Sequence, residues 1–357
     1  MKASISRRGF VTGMGAFATV AGLGLVGCGG GGGGASTGSA GSGAAEGATK
    51  IEMVTDTGGI NDQSFNQSAW SGMEQLKSDH GYEISYIESK QESDYASNLD
   101  KAVDDESALV WGIGFAMYEA IVAAAKANPD VKFALVDNGN PDGVANLLGV
   151  NFRPQEPSFM VGYIAARFSK TGKVGFVGGV SSEQIDLFEY GYKGGVKYAN
   201  ATKGLNVEVS SQYAESFGDA AKGKSITQKM FSDGCDVVFH ASGGTGTGVI
   251  EAAKEAGKYA IGVDMDQSYL APDNVITSAL KLVGAGVAEL TPKILDGSQA
   301  LGGEVSLGMT EDAVGIPEEH SIIGDEIYNE AVAIGEKIKS GDITPPGTED
   351  AFNAFSA

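Results

Sequence analysis

The stretch Asp56–Trp70, which reads DTGGINDQSFNQSAW, joins a predicted first strand at Ile51–Thr55 to a predicted first helix at Ser64–Asp79. Its two consecutive glycines permit a tight turn, and Ser64 or Asp62 can cap the helix. In an open α/β sheet, ligands bind in the crevice beyond the carboxyl ends of the strands, where the first amides of the next helix add donors. The stretch therefore predicts a ligand-binding loop in an α/β fold.

Several side chains of this loop are suited to a polar ligand. Asp56 and Asp62 can accept hydrogen bonds from hydroxyl groups, and Asn61 can both donate and accept them. Phe65 offers a flat face for stacking. The alternative is that the loop only caps the first helix and that Phe65 packs in the core.

The first 27 residues have the features of an export signal. Arg7 and Arg8 precede an apolar run, rich in glycine and alanine, that ends just before Cys28. The paired arginines resemble a twin-arginine signal, and the sequence LVGC resembles a lipobox, whose cysteine becomes lipid-modified. We therefore expect residues 1–27 to be removed and residues 28–48, rich in glycine and serine, to form a flexible linker from a lipid anchor. A plain secretory signal or a membrane anchor is the alternative.

Composition excludes some classes of function. The chain has 357 residues, enough for two domains, and a formal net charge of -21, which becomes -24 without the signal. Nucleic-acid and anionic-membrane surfaces depend on clustered Lys and Arg, so we expect neither, although single nucleosides stay possible. With Cys28 lipid-modified, Cys235 has no intrachain disulfide partner, and we expect a buried thiol. Outside the signal, we see no segment long and apolar enough to span a bilayer.

From Lys50 onward, predicted strands alternate with predicted helices, as is typical of βαβ units around mainly parallel sheets. The predicted strands are Ile51–Thr55, Glu83–Ile87, Ala108–Gly112, Lys132–Val136, Leu147–Phe152, Val174–Val177, Val207–Gln212, Asp236–His240, Tyr259–Val263 and Val275–Leu280. The predicted helices are Ser64–Asp79, Asp94–Asp104, Met117–Ala127, Ile185–Tyr198, Ala220–Ser232, Gly248–Ala256, Val287–Leu295 and Glu326–Ser340. The pattern starts anew near Val174, and two similar halves imply a cleft between them.

Signatures of enzymes are scarce. The segment Gly218–Ser225 matches the phosphate-loop pattern G-x-x-x-x-G-K-S, but no apolar strand runs into it and its interior favours helix, so we interpret the match as coincidence. The three histidines, His80, His240 and His320, belong to no metal or nucleophile motif. His240 closes a predicted strand and could line a cleft or lie in the core. We expect no enzyme, no cofactor and no metal, with a glycosidase-type carboxylate pair as the alternative.

Polar or aromatic residues stand at the carboxyl ends of successive predicted strands. They are Asp56, Phe115, Asp137, Phe217, Gly243, Gly244, Asp264 and Asp266. Each one alone is explained by a turn, a cap or the core. Because such positions lie at the ligand-binding edge of α/β lobes, we expect them to face one cleft.

Seven segments, spread over nearly all of the chain after residue 48, together carry a family resemblance. They are residues 56–70, already quoted, and GIGF at 112–115, FALVD at 133–137, SFGDAAKGK at 216–224, GGTG at 243–246, GVDMDQ at 262–267 and TSALK at 277–281. In these segments the sequence resembles the basic membrane protein family of purine-nucleoside-binding lipoproteins. Members of this family are the substrate-binding components of ATP-driven (ABC) importers.

The resemblance implies an α/β fold of the type I periplasmic-binding-protein class, in which two Rossmann-like lobes close on a nucleoside without changing it chemically. The residues that would contact the nucleoside are Phe65 and Phe217 on the two faces of the base, Asp137 and Asn61 at its polar edge, Asp264 on the ribose hydroxyls, and Asp56 and Lys281 completing the polar ring. Asp266 stays open as a rival of Asp264.

We expect one lobe from residues 49–153 plus about 282–310, and the other from residues 154–281 plus about 311–357. We expect a monomer, lipid-anchored through Cys28 at the extracytoplasmic face of the cell membrane, that delivers a nucleoside to an ABC permease. The alternative from a different class is an exported ligand sensor or sugar-type receptor on the same fold, and a hydrolase is a third possibility.

Overall fold

The computed structural model describes residues 48–356. Its strands are β1 (Lys50–Val54), β2 (Glu83–Ile87), β3 (Leu109–Ile113), β4 (Lys132–Val136), β5 (Leu147–Phe152), β6 (Lys173–Gly178), β7 (Glu208–Tyr213), β8 (Val237–Ala241), β9 (Tyr259–Asp264), β10 (Val275–Lys281), β11 (Glu304–Leu307) and β12 (Val314–Gly315). Its helices are α1 (Phe65–His80), α2 (Tyr95–Asp104), α3 (Tyr118–Ala127), α4 (Gln155–Phe168), α5 (Glu183–Lys203), α6 (Ala220–Ser232), α7 (Thr245–Ala256), α8 (Val283–Asp296), α9 (Gly324–Ser340) and α10 (Glu349–Ala354).

The first sheet has the strand order β11-β5-β4-β3-β1-β2, and all of its strand pairs are parallel. Helices α1 and α8 pack on one face, and α2 and α3 on the other. Because both faces are covered, its central strands are continuous apolar runs, and every residue of Leu109–Ile113 is buried. We call this sheet and these four helices the first lobe.

The second sheet has the order β12-β10-β9-β8-β6-β7 and is parallel except for the β10–β12 pair. Helices α4, α5 and α9 pack on one face, and α6 and α7 on the other. We call this sheet and its helices the second lobe. The chain passes between the lobes three times, from β5 to α4, from β10 to α8 and from β11 to β12.

The predicted strands and helices all occur in the structure, although α5 runs on to Lys203 and α8 begins four residues early, at Val283. Helix α4 was missed because residues 157–166 are all buried, which leaves no amphipathic period to recognise. The short elements β11, β12 and α10 were also missed. No helix of residues 48–356 combines the length and apolar character needed to cross a membrane.

The rejection of the phosphate-loop match is confirmed. Asp219 caps α6 by accepting a hydrogen bond from the amide of Lys222 at 2.9 Å, and Lys222–Ser225 lies inside that helix. Strand β7 ends at Tyr213, well before the motif. The amides of Gly218, Asp219 and Lys222 already donate to Ser216, Thr245 and Asp219, so they are not presented to a phosphate.

Candidate functional site

A cavity lies at the carboxyl ends of strands from both sheets, with a volume of about 530 Å³ including its opening to solvent. Its walls come from both lobes and are formed by Asp56, Gly58, Asp62, Phe65, Asn66, Gly114, Phe115, Asp137, Gln184, Ile185, Phe188, Phe217, Ala241, Ser242, Gly243, Val263, Asp264 and Lys281. A cavity in this position, apolar with a few convergent polar groups, is typical of a small-molecule site.

Most of the predicted positions line this cavity. They are Asp56, Asp62, Phe65, Phe115, Asp137, Phe217, Gly243, Asp264 and Lys281. Three do not: Asn61, Gly244 and Asp266 are absent from its walls. The structure brings the others together from loops that are as much as 225 positions apart in the sequence.

Asn61 and Asp266 are both exposed and lie outside the cavity walls. The carboxylate of Asp62 turns inward to cap α1, which leaves its neighbour Asn61 on the outside. The carboxylate of Asp266 accepts a hydrogen bond from the amide of Ser268 at 3.0 Å, and Asp266 lines a second, smaller cavity of the second lobe. Asp266 is therefore not a rival of Asp264 in this cavity.

The amino end of α1 is organised by Asp62. Its carboxylate accepts hydrogen bonds from the amides of Ser64 at 2.9 Å, Asn66 at 2.8 Å and Gln67 at 3.0 Å. Of the two capping residues that the sequence offers, Asp62 is thus the cap, and the Ser64 side chain makes no capping bond.

Asn66 was missed by sequence reasoning, although it lies one helical turn from Asp62. Its amide group donates to Asp56 at 2.8 Å and to Asp62 at 3.0 Å, and thereby holds the two carboxylates together. The buried Oδ1 of Asn66 has no hydrogen-bond partner within residues 48–356. An acceptor of this kind is costly to bury unless a bound molecule satisfies it.

Asp137 and Asp264 occupy equivalent places in the two lobes. Each stands at the carboxyl end of its strand, β4 or β9, with a positive φ of 68° or 63°, and each is buried. This backbone conformation is uncommon for a residue with a side chain, and such outliers cluster at functional sites. Asp137 forms an ion pair with Lys281 and Asp264 accepts the hydroxyl of Ser64, so both contacts join the two lobes.

The carboxylate of Asp137 is only partly satisfied. Its Oδ2 contacts the ammonium group of Lys281, whereas its buried Oδ1 has no hydrogen-bond partner in the described part of the chain. Asn66 and Asp137 both belong to the lining of the cavity, and each has one buried acceptor without a partner in the described part of the chain.

The cavity is rich in carboxylates. Asp56, Asp62, Asp137 and Asp264 line it, and among its described lining residues Lys281 is the only cation. Burial raises the pKa of Asp56 to about 6 and that of Asp264 to about 7, and it also raises the pKa of Asp62. Near neutral pH the site thus favours donors on a neutral or cationic ligand and disfavours anions.

Aromatic rings form the apolar part of the wall. The ring centroids of Phe115 and Phe217 lie 6.4 Å apart at an angle of 77°, an edge-to-face contact between the lobes. The Nζ of Lys281 lies 4.5 Å from the ring centroid of Phe65. Phe188 of α5, which the sequence did not single out, adds a further ring.

His240 is a core residue and does not line the cavity. It is fully buried, and burial lowers the pKa of its imidazole to about 4, so the ring is neutral at physiological pH.

Cys235 is a buried free thiol, as predicted. Within residues 48–356, no group of three or more His, Cys, Asp or Glu side chains is placed to hold a metal ion. Cys28 and the predicted signal and linker lie outside the described residues.

Comparisons with known proteins agree on one family. Residues 49–349 match the family described as ABC transporter substrate-binding protein, PnrA-like. Basic membrane protein A of Borreliella afzelii is 40% identical over 318 residues, which cover 88% of this chain and 96% of that protein. The CD4+ T-cell-stimulating antigen of Listeria monocytogenes is 38% identical over 319 residues, with 83% and 87% covered.

The fold is also found among solved structures. An ABC transporter solute-binding protein of Aeropyrum pernix K1 superposes with a TM-score of 0.78 at 27% sequence identity, covering 85% of this chain and 95% of that one. The predicted α/β fold of the type I periplasmic-binding-protein class, with two Rossmann-like lobes, is confirmed.

Proposed function

The chain belongs to the PnrA-like family of ABC transporter substrate-binding proteins, and on that premise we propose that it captures a purine nucleoside between its two lobes. The observation that carries the proposal is the pairing of aromatic rings with unsatisfied buried acceptors in one cavity. Asn66 Oδ1 and Asp137 Oδ1 lack partners within the described residues, and Phe65, Phe115 and Phe217 line the same space.

A nucleoside meets each of these features. Its base has two apolar faces and an edge that carries N–H donors, and its ribose carries vicinal hydroxyls. Rings of the cavity wall stack on the base, and carboxylates accept from its edge and from the hydroxyls. A free sugar would leave the aromatic wall largely unused, and a free base would leave a carboxylate unpaired.

We assign a role to each of several lining residues. Phe65 and Phe217 flank the base, Asp137 accepts from its edge, and Asp264 accepts from the ribose hydroxyls. We assign to Asn66 the contact at the base edge that the sequence pointed to at Asn61, because Asn66 is the asparagine on the cavity wall.

In this proposal the ligand is not converted, and the protein delivers it to an ABC permease. The closing lobes are residues 49–153 with about 282–310, and residues 154–281 with about 311–357. The protein acts as a monomer at the extracytoplasmic face, held by a lipid on Cys28.

Cys28→Ser should move the protein from the membrane fraction to the soluble fraction while nucleoside binding stays unchanged. Retention in the membrane after signal cleavage would contradict the lipid anchor.

A thermal-shift comparison of the full chain with inosine, guanosine, hypoxanthine and ribose tests the proposal. A nucleoside at a hundred times its dissociation constant should stabilise the protein by about 2.7 kcal/mol. Phe217→Ala should weaken nucleoside binding by about 1 to 3 kcal/mol. Tyr86→Ala, a matched truncation of an exposed ring that is not part of the cavity walls, should leave nucleoside binding unchanged. Stabilisation by ribose and not by nucleosides would instead favour a sugar receptor.

A further inference from the structure

Hydrogen bonds outside the cavity also join the two lobes. The side-chain amide of Gln267 in the second lobe donates to the backbone carbonyl of Gln63 in the first lobe at 2.8 Å. The hydroxyl of Tyr269 donates to the side-chain oxygen of Gln63 at 2.7 Å. None of these three residues lines the cavity, so the contacts are available to the protein whatever the ligand is.

The Gln267 side chain is held rigidly by its own lobe. It is fully buried, and its Oε1 accepts from the amide of Val263 at 2.9 Å and lies 2.9 Å from Nε2 of His240. Because the amide of Val263 can only donate, the orientation of the Gln267 side chain is defined, and its Nε2 is the group that faces Gln63. Contacts within the second lobe therefore direct this donor at Gln63.

The acceptor is equally constrained. Gln63 has a positive φ of 57°, a conformation that a residue with a side chain keeps only where its surroundings hold it. It lies between Asp62, the cap of α1, and Ser64, whose hydroxyl contacts Asp264. The backbone strain at Gln63 therefore belongs to a segment that binds the opposite lobe.

The contact between Gln267 and Gln63 is also connected to the cavity wall. Since Oε1 of Gln267 is an acceptor, Nε2 of His240 carries the proton and Nδ1 of His240 is the acceptor. The hydroxyl of Ser242, which lines the cavity, lies 3.4 Å from that Nδ1. A chain of buried polar contacts thus runs from the cavity wall through His240 to Gln267.

We propose that Gln267, with Tyr269 as a minor partner, is a latch that holds the lobes closed through Gln63 and sets the rate of ligand release without contacting the ligand. Opening the cleft breaks both contacts, and a closed state without the Gln267 donor would bury the Gln63 carbonyl unpaired. Loss of the donor therefore speeds opening and dissociation, whereas the first encounter with the ligand is unaffected. The effect on release rests on the proposed function.

Gln267→Glu tests the latch with little change in shape, because it keeps the acceptor for Val263 and replaces the donor by an oxygen. We expect the dissociation rate of inosine in stopped-flow measurements to rise about tenfold, with the association rate changed less than about twofold. Tyr269→Phe, at a half-exposed position, should raise the dissociation rate about two- to threefold.

Asn274→Asp is the matched control. It also removes an amide donor to a backbone carbonyl, that of Lys258 at 2.7 Å, but both groups belong to the second lobe. The dissociation rate of inosine should stay at the wild-type value. An equal rise of the dissociation rate in Asn274→Asp and in Gln267→Glu would show that both variants only loosen the second lobe. That result would overturn the latch proposal.

Amide hydrogen exchange of the full chain without ligand separates the two proposals. Gln267→Glu and Tyr269→Phe should speed exchange in residues 61–68 of the opposite lobe, and Asn274→Asp should not. If wild-type protein binds no nucleoside, the proposed function fails while this comparison still decides the latch. If Gln267→Glu does not fold, the hydrogen exchange of Tyr269→Phe alone decides whether the latch exists. Unchanged exchange and unchanged dissociation in the folded variants would overturn the proposal.

Discussion

At the scale of single residues, Asp264 joins the two lobes and has a pKa well above its ordinary value. Its carboxylate is buried, accepts the hydroxyl of Ser64, and has a pKa raised to about 7 by burial. A carboxylate that bridges two vicinal hydroxyls needs both of them. Asp264 should therefore affect both the recognition of the 2′-hydroxyl and the pH dependence of stability.

The first concerns the 2′-hydroxyl. Loss of that group should weaken binding of 2′-deoxyguanosine relative to guanosine by about 1 to 3 kcal/mol, because a buried carboxylate then lacks a partner. Asp264→Ala should abolish this difference between the two ligands. Titration calorimetry of both ligands with both proteins measures the coupling free energy between the Asp264 carboxylate and the 2′-hydroxyl. If Asp264 only caps the turn after β9, the variant loses stability but keeps the wild-type ratio of affinities.

The second concerns pH. Because burial raises the pKa of Asp264 from 3.8 to about 7, the folded state binds its proton more tightly than the unfolded state. This contribution to stability is complete below pH 3.8 and is lost as the pH rises through about 7. Between pH 5.5 and 8.5, ligand-free wild type should therefore lose on the order of 2 kcal/mol relative to Asp264→Asn, whose side chain cannot ionise. Urea unfolding of both proteins at both pH values checks this. The same change in unfolding free energy for wild type and Asp264→Asn would refute it.

At the scale of elements, the end of β6 supports the aromatic wall. A Cβ atom on Gly179 would lie 2.2 Å from the ring of Phe217, so any side chain there displaces the ring. Gly179→Ala should weaken nucleoside binding by about 1 to 3 kcal/mol while secondary structure is retained. Gly303→Ala, where a Cβ meets no atom within 4 Å, is the matched control and should bind normally. Equal affinities in a calorimetric comparison would show that Phe217 does not contact the ligand.

Much of this arrangement was predictable from sequence because strand ends are strong local signals. An apolar run followed by Asp137 or Asp264 predicts both the strand and the side of the sheet on which the acid lies. Asn66 and Phe188 carry no such signal, since they lie inside α1 and α5 and reach the cavity only through tertiary packing. Asn61 and Asp266 show the reverse case: their loops suit a ligand, but both residues are exposed and lie outside the cavity walls.

At the scale of the whole molecule, charge limits which ligands the protein accepts. The chain carries a formal net charge of -21, and four carboxylates and one lysine line the cavity. A nucleoside 5′-monophosphate brings further negative charge into this low-dielectric site. We expect guanosine monophosphate to bind at least about tenfold more weakly than guanosine, a difference of about 1.4 kcal/mol. Competition calorimetry checks the order of affinities, and equal affinities would mean that the phosphate stays outside the cleft.

The most direct test of nucleoside capture is a calorimetric titration of the full chain with inosine, followed by the same titration with ribose and with hypoxanthine. Inosine uses both the aromatic wall and the carboxylates, whereas each fragment uses only part of the cavity. We predict saturable binding of one inosine per chain, with a dissociation constant at least about a hundredfold below that for either fragment. Tight binding of ribose with no heat from inosine would contradict the account.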